Sequence, residues 1–316
     1  MNQIKDKKLS IFKGIVLFAV LWILLGYILF PAIRTIMLSV MGEGGFTLDY
    51  YKEFFAVEAN RVAVKNTLLI GFASVFVCGV IGTFLAFMVT YFKFPFKNIV
   101  SKLLLTPIMV PGVIIVLAFI QLYGESGIIT ESLEIIFKLA DEPYAFTGFW
   151  GILFVHAYTQ YVYFFMNVSV AIKQMDYSSI EAAKNLGAGK WEIFKTIIIP
   201  FIKPALIASA LVTFISSIGS FSAPSLIGDS YKVITTQMLF AKSNNHMDIA
   251  SVQVVILTFM AIVFLLVSRY YEKKSAIEGI IKGSPMQEVE IENKFLKAIF
   301  IFVSAVTIIF IMLPII

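Results

Sequence analysis

The chain has 316 residues, of which 59% are hydrophobic and only 14% charged, with a mean hydropathy of +0.90. A soluble domain carries roughly 25% charged residues, so the composition excludes a soluble enzyme and points to an integral membrane protein. The single cysteine, Cys78, excludes a disulfide framework and a cysteine-based metal site.

Apolar runs of about 20 residues predict seven helical spans, at 11–30, 68–91, 103–123, 146–172, 204–220, 249–268 and 296–316. The first follows the basic segment MNQIKDKK. It is too long for the apolar region of a cleavable signal and no small-x-small site follows it, so it reads as a signal anchor. The stretch 41–66 predicts a short amphipathic helix over 48–55. Span two places Ser74, Cys78 and Gly82 at i, i+4 and i+8, a small-residue stripe for close helix packing. Pro107, Pro111 and Gly112 predict a kink or break in span three.

The loop 124–145 is acidic, with Glu125, Glu131, Glu134, Asp141 and Glu142, and reads as a solvated surface rather than a cation site. Span four carries His156, Tyr158, Thr159, Gln160, Tyr161 and Asn167. Span five follows Pro200 and Pro204 and is rich in hydroxyls, including Ser209, Thr213, Ser216, Ser217 and Ser220. Polar groups at these depths either bond neighbouring helices or line a path through the membrane. Gln160, Asn167, Thr213, Ser216, Ser217 and Ser220 are the candidates for such a path. His156 reads as a packing histidine rather than a proton relay.

The last segment repeats the first. Lys13 precedes Pro31 by 18 positions and Lys297 precedes Pro314 by 17, within runs of similar apolar character. We therefore expect 296–316 to begin a second, similar module. A longer native polypeptide would support that reading and a native stop after Ile316 would refute it. The expected organisation is an N-terminal span and external segment (1–65), a core of spans two to six (66–272), a linker (273–294) and the seventh span (295–316).

The net charge of +5 is unevenly placed. The N-terminus and the loops after spans two, four and six hold 18 of the 25 Lys and Arg but 9 of the 20 Asp and Glu. The positive-inside rule assigns these segments to the cytoplasm, so the basic excess is a topology signal and not a footprint for nucleic acid. Apart from His156, spans two to six contain no ionisable side chain clearly inside the membrane. The carboxylates and lysines that mark ion and proton relays are missing, which weighs against the alternative of an ion-coupled carrier or channel. No nucleophile–base pair or metal constellation suggests catalysis.

The loop 178–200, SSIEAAKNLGAGKWEIFKTIIIP, is too well organised for a connector. Ser178 and Glu181 form a capping-box pattern, Ala182, Ala183, Lys184 and Leu186 favour helix, and Gly187 suits a left-handed C-terminal cap. This predicts a helix about two turns long, then a second short helix from about Ala188 that ends at Pro200 and Phe201. Trp191 and Phe194 are expected to bury against the spans, while Ala182, Ala183 and Gly187 leave a small, smooth face for a partner's cleft. Gly187-Ala188-Gly189-Lys190 is not a Walker A end, because Trp191 stands where Ser or Thr is needed.

Glu181-Ala182-Ala183, three residues, Gly187, nine residues, Ile197, one residue, Ile199-Pro200 resembles the EAA loop of type I ATP-binding-cassette importer permeases. The one departure is Ile199 for Leu. A looser likeness runs from Asn66 to Glu272, nearest to permeases for ferric iron, polyamines, thiamine and aminoethylphosphonate, a group that includes tandem permeases. The resemblance implies an all-α polytopic membrane bundle of the MetI-like fold, in a bacterial plasma (inner) membrane with its N-terminus cytoplasmic. It implies that Glu181, Ala182, Ala183, Gly187, Lys190 and Pro200 couple to ATPase subunits. Two such subunits would bind ATP and Mg, leaving this chain with no cofactor, no metal and no catalytic residue of its own. An extracytoplasmic substrate-binding protein, a second permease module in the same polypeptide or as a homo- or heterodimer partner, and membrane lipid complete the implied partners. Nucleic acid is not among them.

Overall fold

The computed structural model describes residues 2–42, 44–137, 146–275, 289–290 and 294–314. Asp141 and Glu142 of the acidic stretch lie outside the described residues, as does most of the linker. In chain order the helices are α1 (Asn2–Ile23), α2 (Phe30–Val40), α3 (Asp49–Ala56), α4 (Glu58–Tyr91), α5 (Lys97–Leu103), α6 (Gly112–Tyr123), α7 (Ile128–Phe137) and α8 (Gly148–Gln174). They continue with α9 (Tyr177–Asn185), α10 (Lys190–Ile193), α11 (Ile199–Ile218), α12 (Ser222–Ile227), α13 (Ile234–Ser243), α14 (Met247–Ser275) and α15 (Lys294–Met312). Two-residue strand pairs, Met41–Gly42 with Gly45–Phe46 and Phe92–Lys93 with Val289–Glu290, are the β-structure among the described residues.

Among the described residues, five segments are long and apolar enough to cross a membrane: Phe12–Val40, Glu58–Tyr91, Gly112–Phe137, Lys190–Ile218 and Met247–Lys274. The predicted fourth span is present as α8 but is diluted by His156, Thr159, Gln160 and Asn167. Lys297–Met312 is apolar but shorter. The third span is broken as its prolines predict, into α5, a 3-10 turn at Thr106–Met109 and α6. Its apolar character then runs beyond the expected end, through α7.

The chain forms two compact units, residues 1–61 with 237–259, and 62–236 with 260–316. In the first, α1 and α2 are joined by a π-helical segment, Leu24–Leu29, and α3 is the amphipathic helix expected from the sequence. Ser39, fully buried, ties α2 to α3 through Tyr51 Oη at 3.0 Å. Lys52 donates to Asp49 at 2.8 Å and holds that carboxyl below its ordinary range.

The second unit is built around α8. Gly82 of α4 lies so close to α8 that an added Cβ would collide with the Tyr161 carbonyl and meet Phe164 Cβ at 2.6 Å. Ser74 and Cys78, on the same stripe, are fully buried. Without a hydrophobic driving force between helices in lipid, such close approach is the main source of helix association. The break in the third span leaves carbonyls without helical partners, and the Tyr161 hydroxyl donates to one of them, Leu104 O, at 2.6 Å. On α8, Tyr158 donates to Ile311 O of α15 at 2.6 Å, and Phe92 and Phe300 meet with ring centroids 4.8 Å apart.

Candidate functional site

α9 begins two residues earlier than the capping-box pattern predicts. Asp176, not Ser178, is the N-cap: its carboxylate accepts from Ser178 N at 3.0 Å, and the Ser178 hydroxyl donates to the same side chain at 2.6 Å. A carboxylate at this position meets both the free N–H groups and the positive end of the helix dipole. Ser178 therefore sits inside the first turn, and Glu181 is left exposed rather than turned back on the cap.

The other end follows expectation. Gly187 has φ of +85°, Gly187 N bonds Lys184 O at 2.9 Å, and Ala188 N bonds Ala183 O at 3.0 Å. These are the two bonds of a Schellman cap. The helix so closed rests on a small core of Met175, Ile180, Ile193 and Ile198. Two expectations about its faces are corrected. Trp191 does not bury: it is 73% exposed and stacks on Phe194 at 5.6 Å, while Phe194 is half-buried against Phe87. The core beneath the knuckle is made instead by Met175, Ile180, Ile193 and Ile198. Ala183 is half-buried against the loop's own core, so the outward face consists of Glu181, Ala182, Leu186 (88% exposed) and Gly187.

The second helix does not stop at Pro200. From Lys190 to Ile218 the backbone is continuously helical, with a π-helical segment at Phe194–Ile198 and both Pro200 and Pro204 inside the run. Proline removes an N–H and crowds the carbonyl one turn back. A wider turn just before Pro200 makes room for the ring, with Ile199 N reaching Phe194 O five residues earlier. Thus α9, α10 and α11 connect an exposed knuckle to a long span.

The polar residues of spans four and five meet in the seam between α8 and α11. Ser217 donates to Gln160 Oε1 at 2.7 Å, and Asn167 donates to Ser209 Oγ at 3.0 Å. Thr213, between them on the same stripe of α11, is fully buried, and its hydroxyl has no partner among the described residues. Ser216 and Ser220 are half-buried, and Ser220 lies just beyond the end of α11. His156 is buried, with Nδ1 2.9 Å from Ser74 Oγ and its carbonyl 3.4 Å from Cys78 Sγ. At the far end of α4, Asn66 donates to Lys232 O at 2.9 Å, Tyr231 donates to Asn66 O at 2.9 Å, and Thr67 Oγ1 accepts from Ile234 N at 2.9 Å. This clamp has no local sequence signature, since its partners stand about 165 positions apart.

Residues 79–273 match the family described as the binding-protein-dependent transport system inner membrane component. The chain belongs to this family. It is 26% identical over 276 residues to the probable ABC transporter permease protein y4fN of Sinorhizobium fredii, covering 87% of this chain and 48% of that protein. It is 31% identical over 208 residues to the ferric transport system permease protein FbpB of Actinobacillus pleuropneumoniae, covering 65% and 30% respectively. The chain thus spans half or less of these relatives. A bacterial alginate ABC transporter, solved with an alginate pentasaccharide-bound periplasmic protein, contains a chain of the same fold, with TM-score 0.71, 19% identity, and coverage of 89% of this chain and 98% of that one. The inner membrane component is therefore a multi-pass, all-helical bundle of the MetI-like kind.

Proposed function

We propose that this inner membrane component is the permease subunit of an ATP-driven importer, shaping the solute path and receiving force from separate ATPase subunits at the exposed α9 knuckle. One observation carries the reading. A helix with the Glu181-Ala182-Ala183…Gly187 spacing, capped at Asp176 and at Gly187, stands exposed at one end; it shares a core with Ile193 and Ile198 beyond the turn, and from Lys190 the backbone runs helically into α11. Force applied at the knuckle reaches the bundle through that path. The seam bonds Gln160–Ser217 and Asn167–Ser209 make α8 and α11 move as one body.

The same reading places ATP and Mg on the partner ATPases, an extracytoplasmic binding protein at the opposite end, and the knuckle in the cytoplasm. The path is lined where Asn167, Ser216 and Ser220 approach the surface, with Gln160, Thr213 and Ser217 behind them. The relation to FbpB supports ferric iron as the solute, with polyamine, thiamine or aminoethylphosphonate as the other candidates. The partial coverage of the longer relatives, with the repeated start at 295–316, supports a tandem permease in which α15 opens the second module.

The test is reconstitution with the ATPase and binding protein encoded beside the gene. Gly187→Asp should abolish uptake while ATP hydrolysis persists, and Glu181→Lys should weaken ATPase co-purification. Solute uptake by the chain alone, without an ATPase, would overturn the reading.

A further inference from the structure

The knuckle end of the bundle carries a groove whose apolar walls and Lys184 the transport reading leaves unused; Lys190, also on its rim, is the one lining residue named above as a coupling candidate. α4 and α11 touch at the end away from the knuckle, where Gly71 admits Phe214 and Ile218 to close contact. Towards the knuckle they part, leaving a cavity of about 1050 Å³. This is the upper end of the roughly 300–1000 Å³ typical of small-ligand pockets. Its walls are apolar, with Phe76, Val80 and Phe84 from α4, Leu206 and Ala210 from α11, and Phe164 from α8. Its mouth is cationic: Lys184 and Lys190 border the opening. Lys184 leans on Tyr177, 3.3 Å from the hydroxyl, and among the described residues neither lysine has a carboxylate partner.

We propose that this groove binds one anionic phospholipid, its acyl chain between α4 and α11 and its phosphate between Lys184 and Lys190. Apolar walls suit a hydrocarbon chain. Two uncompensated ammonium groups at the level of the headgroups select a negative lipid over a zwitterionic one, as basic pockets beside membrane helices do. Ile180 and Ile193 belong both to the groove and to the core beneath the knuckle, so the bound lipid braces α9 against α4. Binding stands on the groove alone; any effect of the lipid on coupling rests on the function proposed above.

Trp191 stacks on Phe194, a groove residue, and so reports on occupancy. In the full chain with Trp22→Phe and Trp150→Phe, reconstituted in vesicles, brominated phosphatidylglycerol should quench Trp191 at lower mole fraction than brominated phosphatidylcholine. The preference should fall about fivefold for each of Lys184→Gln and Lys190→Gln. Ala210→Phe fills the groove without touching the lysines and should remove the preference too; gel filtration and melting temperature verify that each variant folds. Equal quenching by the two lipids in the parent would mean ordinary boundary lipid and overturn the site. Protection of Trp191 from both lipids would assign the groove to a protein helix instead. Retained preference in Ala210→Phe would place the lipid outside the groove. Uptake and ATPase assays play no part in this readout, so its failure is distinct from failure of the permease reading.

Discussion

Asn167 on α8 and Ser209 on α11 are joined at 3.0 Å, and the Ser209 hydroxyl also lies 3.2 Å from Tyr163 O and 2.8 Å from Ala205 O. One small hydroxyl thus serves as acceptor for one helix and donor within the seam. Ser209→Ala deprives the Asn167 amide of this acceptor. Interhelical bonds in membrane proteins average about 0.6 kcal/mol and reach about 1.7 kcal/mol, so a loss in that range is expected. A double-mutant cycle with Asn167→Ala, followed by thermal melting in detergent, measures the coupling. Additive losses from the two single changes would show that the bond carries no energy.

The N-cap supplies a second test. If Asp176 caps α9, Asp176→Ala should destabilise the knuckle by about 1 kcal/mol, whereas Ser178→Ala should do little because its hydroxyl only donates back to that carboxylate. The sequence pattern alone predicts the opposite order. Hydrogen exchange of the amides of α9 compares the two variants directly.

That reversal shows where sequence reasoning reaches its limit. The helical spans, the break at Pro107–Pro111, the stripe Ser74–Cys78–Gly82 and the turn at Gly187 were legible because each is set by composition or by backbone geometry within a few residues. The start of α9 was misplaced by two positions because two adjacent polar residues, Asp176 and Ser178, could both cap, and their competition depends on three-dimensional approach. The run through Pro200 was missed because a π turn absorbs the proline, and the pattern of side chains does not announce it. The exposure of Trp191 was missed because an aromatic beside an apolar run does not reveal that Met175, Ile180, Ile193 and Ile198 already form the core there. The Asn66–Tyr231 clamp was invisible because nothing local links its halves.

Tyr231 gives this clamp a pH dependence. Partial burial pushes its phenol from the ordinary value of 10.0 up to about 12, so the folded state favours the neutral, hydrogen-bonding form. The contribution is complete below pH 10 and is lost as pH rises from about 10 towards 12, because the unfolded segment ionises first. Tyr231→Phe should remove that part of the alkaline loss and lower stability at neutral pH by about 1 kcal/mol, the usual worth of one hydrogen bond. Melting curves from pH 7 to 12 on both chains measure the difference. Parallel curves would show that Tyr231 does not titrate within the clamp.

Gly187 separates backbone geometry from steric fit. Among the described residues, no atom beyond Gly187 and its chain neighbours lies within 4 Å of the place where a Cβ would stand, so a side chain there meets open space. The obstacle is φ of +85°, a conformation that costs an ordinary L-residue roughly 1–2 kcal/mol and that asparagine tolerates better. If the knuckle transmits force through its fixed shape, coupling should fall in the order Gly, Asn, Ala. If the surface there matters more than the turn, Asn should be the worse of the two because it is larger. Uptake per ATP hydrolysed in the reconstituted transporter distinguishes them. Alanine is expected to lower that ratio most while leaving the amount of membrane-inserted chain near that of the parent, because the strain is local to the Schellman cap and the core of Met175, Ile180, Ile193 and Ile198 beneath it is untouched.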